Sequence, residues 1–279
     1  MEDIEKLINF SIINIDKPAG PTSFSITNFV RKSLNLKKAS HMGTLDPKVT
    51  GVLPITLGRA CRLAQFLITH DKTYVGILHT HKEQDIEHLK KLVGENFVGK
   101  IIQTPPHKSA VKRAPREREV YYFRILESLD NKDFLFETKV QGGTYIRKIC
   151  SDLGEMIGGA HMEELRRTSA GEFDEKTLVK LGDFELAVKE YNVGKSAKLL
   201  KMLVPAGELI EKVLPVLELK DGSKIPFLMT GKPLLKGAVN EIKVDEESFF
   251  VLKNKKRIIG IYKKIKDKNI FAKPEFVYN

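Results

Sequence analysis

His41-Met42-Gly43-Thr44-Leu45-Asp46-Pro47-Lys48-Val49-Thr50-Gly51 is too short of apolar alternation to be a buried strand, and it reads as an ordered loop. An acidic side chain stands between a Gly-Thr entry and a Pro exit. Glycines at 43 and 51 let the backbone approach a partner closely. Pro47 fixes its own φ and pushes Asp46 toward an extended conformation, so the carboxylate is aimed rather than left mobile. An isolated Asp-Pro most often makes an Asx-type turn with nearby amides. The residues found elsewhere in the chain give Asp46 a different reading.

The chain has 279 residues, 42% of them hydrophobic, enough for one large domain or for a large domain with a small one. Its 47 Lys and Arg against 36 Asp and Glu give a net charge of +11, which favours a polyanionic partner, nucleic acid first. No long uncharged apolar run and no signal pattern are present, so a cytoplasmic protein is expected rather than a membrane or secreted one. Cys61 and Cys150 lie in apolar helical patterns without a CxxC pair and are read as reduced core thiols.

Outward from the loop, Ser11 to Ile15 is β-prone and stops at the turn-rich Asp16 to Pro21. Thr22-Ser23 offers an N-cap for a helix carrying Ile26, Phe29, Val30 and Leu34. Lys17 and Lys38 flank it and read as solvated charges near the loop. Val52 to Leu57 reads as a strand, and Ala60, Leu63, Ala64 and Leu67 as an amphipathic helix. The strand from Thr73 to His81 puts Tyr74, Gly76 and Leu78 on one face and Val75, Ile77 and His79 on the other, so Tyr74 faces the core or a cleft. His79 and His81 share a face, as two metal ligands could. No nearby Cys or carboxylate completes a set in the sequence, and no metal is expected.

Ile86, Leu89, Val93 and Phe97 mark the next helix. Residues 107–119 are strongly basic and aperiodic, which makes Lys112 and Arg113 candidate RNA contacts. Val120 to Leu126 and Phe134 to Gln141 flank a turn and should pair antiparallel. After Gly142-Gly143, the set Ile146, Ile149, Cys150, Leu153 and Ile157 defines a helix whose buried stripe excludes Arg147. A first-turn Arg is unfavourable against the helix dipole, which suggests that it pairs with a carboxylate. Residues 158–171 read as a cluster of charge around a lone Leu165. Helical patterns continue to about Val204, and from Val213 the character changes to short strands and turns. A domain boundary is expected at 211–214, giving domains 1–212 and 213–279. Residues 253–268 hold eight Lys and Arg between β-prone residues.

Lys17-Pro18-x-Gly-x-Thr22-Ser23, the His41 to Pro47 loop, Lys72-Thr73-Tyr74, Gly143-Thr144-Tyr145-Ile146-Arg147 and Glu164-Leu165-Arg166-Arg167-Thr168 stand in the order seen in RNA pseudouridine synthases. In these motifs the chain resembles the TruB/dyskerin family. Thr44 to Gly51, Pro105 to Arg113 and Ala160-His161-Met162 look like the archaeal and eukaryotic dyskerin type, and the short connection from Tyr74 to Pro105 leaves no room for the long RNA-gripping insertion of the bacterial branch.

The resemblance implies an α+β fold, with a mixed, largely antiparallel central sheet flanked by helices. It also implies a small C-terminal β-barrel-like PUA domain that grips RNA. The implied activity is isomerisation of uridine in rRNA or tRNA, guided by box H/ACA RNA. A stand-alone tRNA T-loop synthase and a non-catalytic RNA scaffold are the alternatives. No cofactor is implied. Asp46 would be the nucleophile or acid/base group, Arg147 its ion-pair partner, and Tyr74 the platform for the flipped uracil, its hydroxyl available to help remove the C5 proton. Leu165 would pack at the pocket floor, with His41 and Lys17 on the substrate side. Guide and substrate RNA, together with Nop-type, Gar-type and kink-turn-binding proteins, are the implied partners.

Overall fold

The computed structural model describes residues 2–68, 70–105, 114–240 and 244–278. They fall into two compact units, Met1–Leu203 and Val204–Asn279.

In the first unit the elements follow in the order α1 (Glu2–Ile8), β1 (Ser11–Lys17), α2 (Ser23–Ser33), β2 (Ala39–His41) and β3 (Thr50–Leu57). A 3-10 turn at Gly58–Leu63 leads into the short α3 (Ala64–Leu67). Next come β4 (Lys72–Thr80), α4 (Ile86–Asn96), β5 (Gly99–Gln103), β6 (Arg116–Ser128), β7 (Asp133–Val140), α5 (Ile146–Ile157), β8 (Ala160–Ala170), β9 (Phe173–Asp174), α6 (Leu181–Asn192) and α7 (Ala197–Lys201). The sheet order is β1-β3-β8-β4-β7-β6-β5, with β2 beside β3 and β9 beside β8. Every pairing on this path is antiparallel except β3 with β8.

Local chemistry accounts for most boundaries. Thr22 accepts the Ser25 amide and caps α2, and Asp85 accepts the His88 amide and caps α4. Helix α5 ends on Gly158 in the left-handed region (φ 85°), where a side chain would be strained. The β4 face with Tyr74, Gly76 and Leu78 points inward, as the alternation predicts. Its core neighbours include Leu53, Ile55, Phe134, Phe136, Ile149 and Leu153. Cys150 is also buried there, and burial pushes its thiol up to about 12.

Two expectations change. The helix expected through Ala60 to Leu67 is a 3-10 turn followed by a single α-turn. More consequentially, the charged cluster at 158–171 contains β8, an eleven-residue strand lying between β3 and β4 in the centre of the sheet.

The junction strand β10 (Leu203–Pro205) and α8 (Ala206–Val213) precede the strands of the second unit, and the expected boundary at 211–214 falls at the C-terminal end of α8. The second unit's sheet contains β11 (Val216–Glu218), β12 (Leu234–Leu235), β13 (Phe249–Asn254), β14 (Arg257–Lys264) and β15 (Ile270–Val277), with α9 (Ile225–Met229) between β11 and β12. The order is β11-β13-β14-β15-β12. Leu217, Phe250, Leu252, Ile259 and Tyr262 form its core. Among the described residues no helix is long and apolar enough to cross a membrane.

Candidate active site

The loop between β2 and β3 is held from within by both apolar and ionic anchors. Met42, Leu45 and Val49 are buried, each such side chain contributing about 1.5–3 kcal/mol to docking the loop. Ser23, buried at the start of α2, grips the residue before Asp46 twice. Its hydroxyl accepts the Leu45 amide (2.8 Å) and donates to the Leu45 carbonyl (2.9 Å). Gly51 has φ +99° and pairs with Arg167 of β8, and a Cβ there would stand 2.2 Å from the Arg167 carbonyl oxygen. Only glycine permits this approach.

Three buried cations stand behind the loop. Lys17 is fully buried, and its ammonium donates to the carbonyls of Pro18 (2.9 Å), Pro47 (2.9 Å) and Val49 (2.8 Å). Burial lowers its pKa, with the Asp46 charge opposing. Arg167 is likewise fully buried, donating through Nε to Val52 O (2.7 Å) and through Nη2 to Gly43 O (3.0 Å). Burial pulls its pKa down, and the neighbouring Tyr74 hydroxyl partly offsets this. Lys72 donates to Ile68 O and His70 O, both at 2.9 Å. All three ammonium and guanidinium groups bond main-chain carbonyls, so each fixes backbone. The result is a loop clamped at Gly43, Pro47, Val49 and Val52, with positive charge at its back.

Asp46 emerges from this clamp. Its Oδ2 meets Arg147 Nη2 at 2.6 Å, a short charge-assisted contact, and the two side chains are 46% and 55% exposed. The pair expected from the first-turn position of Arg147 is therefore formed, and it stays open to a ligand. Tyr74 is buried on β4 beside Arg167 in register. Leu165 opposes Gly76 on the neighbouring strand and is buried two residues along from Tyr74. His41 is half-buried at the loop entry, its Nδ1 and Nε2 each 3.1 Å from a threonine hydroxyl, of Thr27 and Thr44. Burial, then the Arg167 charge, lowers its pKa, which keeps the ring neutral near pH 7.

Lys17 needs correcting. It was read as a solvated charge on the substrate side, yet its ammonium is enclosed by three carbonyls and cannot present itself to RNA. Ser23, Lys72 and Arg167 are the structural parts of the site that sequence reading missed. Lys72 and Arg167 occupy inward positions of otherwise alternating strands, and that misplacement of charge is the signal that marks them. Lys112 and Arg113 lie outside the described residues.

Replacement of Lys17 by Met keeps most of the volume but takes a donor from each of three carbonyls, of which Pro47 O retains the Gly20 amide. Lys17→Met should lower stability by about 2–4 kcal/mol and slow turnover, read by urea denaturation and by rate on the same preparation. Unchanged stability would mean that the loop holds itself. Lys72 gives a pH signature. Burial, with Arg167 adding and Asp71 opposing, brings its pKa down to about 8 from 10.5. The unfolded chain therefore binds more protons between these values, so this group's contribution to stability rises with pH across that interval. Lys72→Met should remove a rise of about 1–3 kcal/mol, measured by denaturation at about pH 7 and about pH 10.

The TruB family pseudouridylate synthase N-terminal domain profile matches residues 31–146, and that of the tRNA pseudouridylate synthase B C-terminal domain matches residues 147–211. The chain belongs to the TruB family of pseudouridylate synthases.

Among archaeal TruB relatives, "Probable tRNA pseudouridine synthase B" of Methanothermobacter thermautotrophicus is 43% identical over 238 residues, 85% of this chain and 72% of that protein. Its namesake in Methanopyrus kandleri is 47% identical over 220 residues, 78% of this chain but only 64% of that protein. Two of the solved structures similar to this chain come from assemblies. The chain in a crystal structure of a Cbf5-Nop10-Gar1 complex has a TM-score of 0.87 at 36% identity, with 98% of this chain and 86% of that one covered. The chain in a structure of an H/ACA RNP bound to a substrate RNA containing 2′-deoxyuridine has a TM-score of 0.83 at 34% identity, with 99% and 87% covered.

Proposed function

We propose that this chain is the catalytic subunit of a box H/ACA RNA-guided pseudouridine synthase. The observation that carries the reading is the Asp46–Arg147 ion pair, half-open to solvent on a loop that buried cations hold rigid. Isomerisation breaks the N1–C1′ bond of uridine, turns the uracil and rejoins C1′ to C5, while the C5 proton leaves and N1 gains one. The reaction is redox-neutral, and one oriented carboxylate suffices for its central step. Asp46 provides that carboxylate, and Arg147, in contact with it, aims it. Tyr74 faces the flipped uracil and Leu165 closes the floor beneath it. His41, a neutral ring bonded to the loop residue Thr44, borders the substrate side.

Guide dependence is supported by structural similarity, over nearly the whole of this chain, to chains from H/ACA assemblies. Nop-type, Gar-type and kink-turn-binding proteins are the expected companions, and Lys112 and Arg113 are candidate contacts to RNA phosphates. Residues 213–279 act as a PUA-type RNA-binding module. Its strand β14 carries Arg257, Lys263 and Lys264, a cationic run suited to a backbone. We assign the protein to the cytoplasm.

The deciding assay offers purified protein two substrates, a guided rRNA duplex and free tRNA, with and without the partner proteins, and maps pseudouridine chemically. Modification of the guided duplex that needs both guide and partners is the expected result. Equal T-loop modification of free tRNA by the protein alone would replace this reading with that of a stand-alone tRNA enzyme.

A further inference from the structure

Helix α5 begins weakly by its own chemistry. Tyr145 stands at its N-cap without a side-chain cap, and the first turn holds no acid but two cations, Arg147 and Lys148. Positive charge there opposes the helix dipole, and the amides of an uncapped first turn lack partners, so this end is prone to fray. Lys148 finds Asp152 one turn on, whereas Arg147 meets Asp46 on the loop between β2 and β3. Unwinding of that turn would carry the Arg147 guanidinium off the carboxylate.

The fastening comes from outside the helix. Gln103, the last residue of β5, is a polar side chain only 3% exposed, on the strand that ends the sheet path. Its Oε1 accepts the Tyr145 amide (3.0 Å), and its Nε2 donates to the Tyr145 carbonyl (3.2 Å). One side-chain amide thus holds both backbone groups of one residue, which fixes position and orientation together. The same carbonyl accepts the amides of Lys148 (3.1 Å) and Ile149 (3.2 Å), the bonds that close the first turn. The preceding bend is tied down by Arg118 Nε, which donates to Gly143 O (3.2 Å), and by the Thr144 hydroxyl, which donates to Gln141 O (2.8 Å). Of these three side chains only Gln103 is buried, where an amide left unpaired is costly and the paired geometry is enforced.

We propose that Gln103 is a positioning residue for the reaction: by gripping both backbone groups of Tyr145 it keeps the first turn of α5 wound and so holds Arg147 on Asp46. This rests on the reading of Asp46 as the reacting carboxylate and Arg147 as the group that aims it. The bonds of Gln103 run to the backbone of Tyr145, so its influence passes through the start of the helix.

The test uses the full-length chain. Gln103→Met keeps the length and most of the volume of the side chain and removes both bonds. Gln103→Glu keeps the acceptor for the Tyr145 amide and loses the donor, and it reports even if the Met variant folds poorly. In protein labelled with ¹⁵N-arginine, the Arg147 Nε–H resonance, identified by its absence in Arg147→Lys, follows the guanidinium directly. It should stand apart from free arginine in the wild type, move to the free-arginine position in Gln103→Met, and lie between the two in Gln103→Glu. Thr80→Val, which removes a different buried side-chain bond at the far end of β4, should leave it in place.

With guide, partner proteins and substrate added, Gln103→Met should lower the single-turnover rate about tenfold to 10²-fold, with the half-saturating substrate concentration unchanged. In the Arg147→Ala background the same change should cost less than about twofold, because the group it positions is gone. An Arg147 resonance unmoved in both Gln103 variants, or rate losses that multiply in the double variant, would overturn the proposal. A wild type that isomerises neither RNA would instead remove the functional reading, and the resonance would still decide whether Gln103 sets Arg147.

Discussion

Asp46→Asn should abolish isomerisation, lowering single-turnover rate on the order of 10⁴-fold or more, because it deletes the group through which the central step passes in the proposed mechanism. The amide is nearly isosteric, and the features that shape the loop do not involve the carboxylate. Ser23 grips Leu45, Lys17 holds Pro47 and Val49, and Arg167 holds Gly43 and Val52. Folding and RNA affinity should therefore stay close to those of the wild type. A titration of guide-bound substrate alongside the rate separates the two effects. Residual turnover within tenfold of wild type would remove Asp46 from the reaction.

Arg147→Ala should cost turnover on the order of 10²-fold through loss of orientation, with little change in stability. The pair is about half exposed, and an ion pair that open contributes little to folding. This split between rate and stability distinguishes an aiming role from a structural one. Urea denaturation and single-turnover kinetics on the same variant provide both numbers. A fall in stability comparable to that of Lys17→Met, with turnover unchanged, would reverse the assignment.

These two residues were legible in the sequence because their local grammar is strong. A carboxylate fixed by Pro47 and an arginine excluded from the apolar stripe of α5 each ask for a partner, and the fold brings them to 2.6 Å. The alternation of β4 likewise set the inward face of Tyr74. Strand β8 was hidden for the opposite reason. Glu163, Glu164, Arg166 and Arg167 give it the look of a solvated segment, and its place between β3 and β4 follows from tertiary pairing that no local pattern encodes. Lys17 was misread on the same grounds, since a buried lysine becomes acceptable only when carbonyls thirty residues away surround it.

The same strand bears on when the Asp46 loop becomes anchored as the chain folds. Arg167 reaches back 124 residues to the Gly43 carbonyl, and the parallel pairing of β3 with β8 joins Thr50 and Gly51 to Arg166 and Arg167. Contacts over such separations form late, after the loop-closure cost of the intervening chain has been met. A nascent chain that has emerged through Val140 can complete the β6–β7 hairpin and still lack the strand to which the Asp46 loop is tied. Catalytic order thus arrives as a switch rather than by degrees.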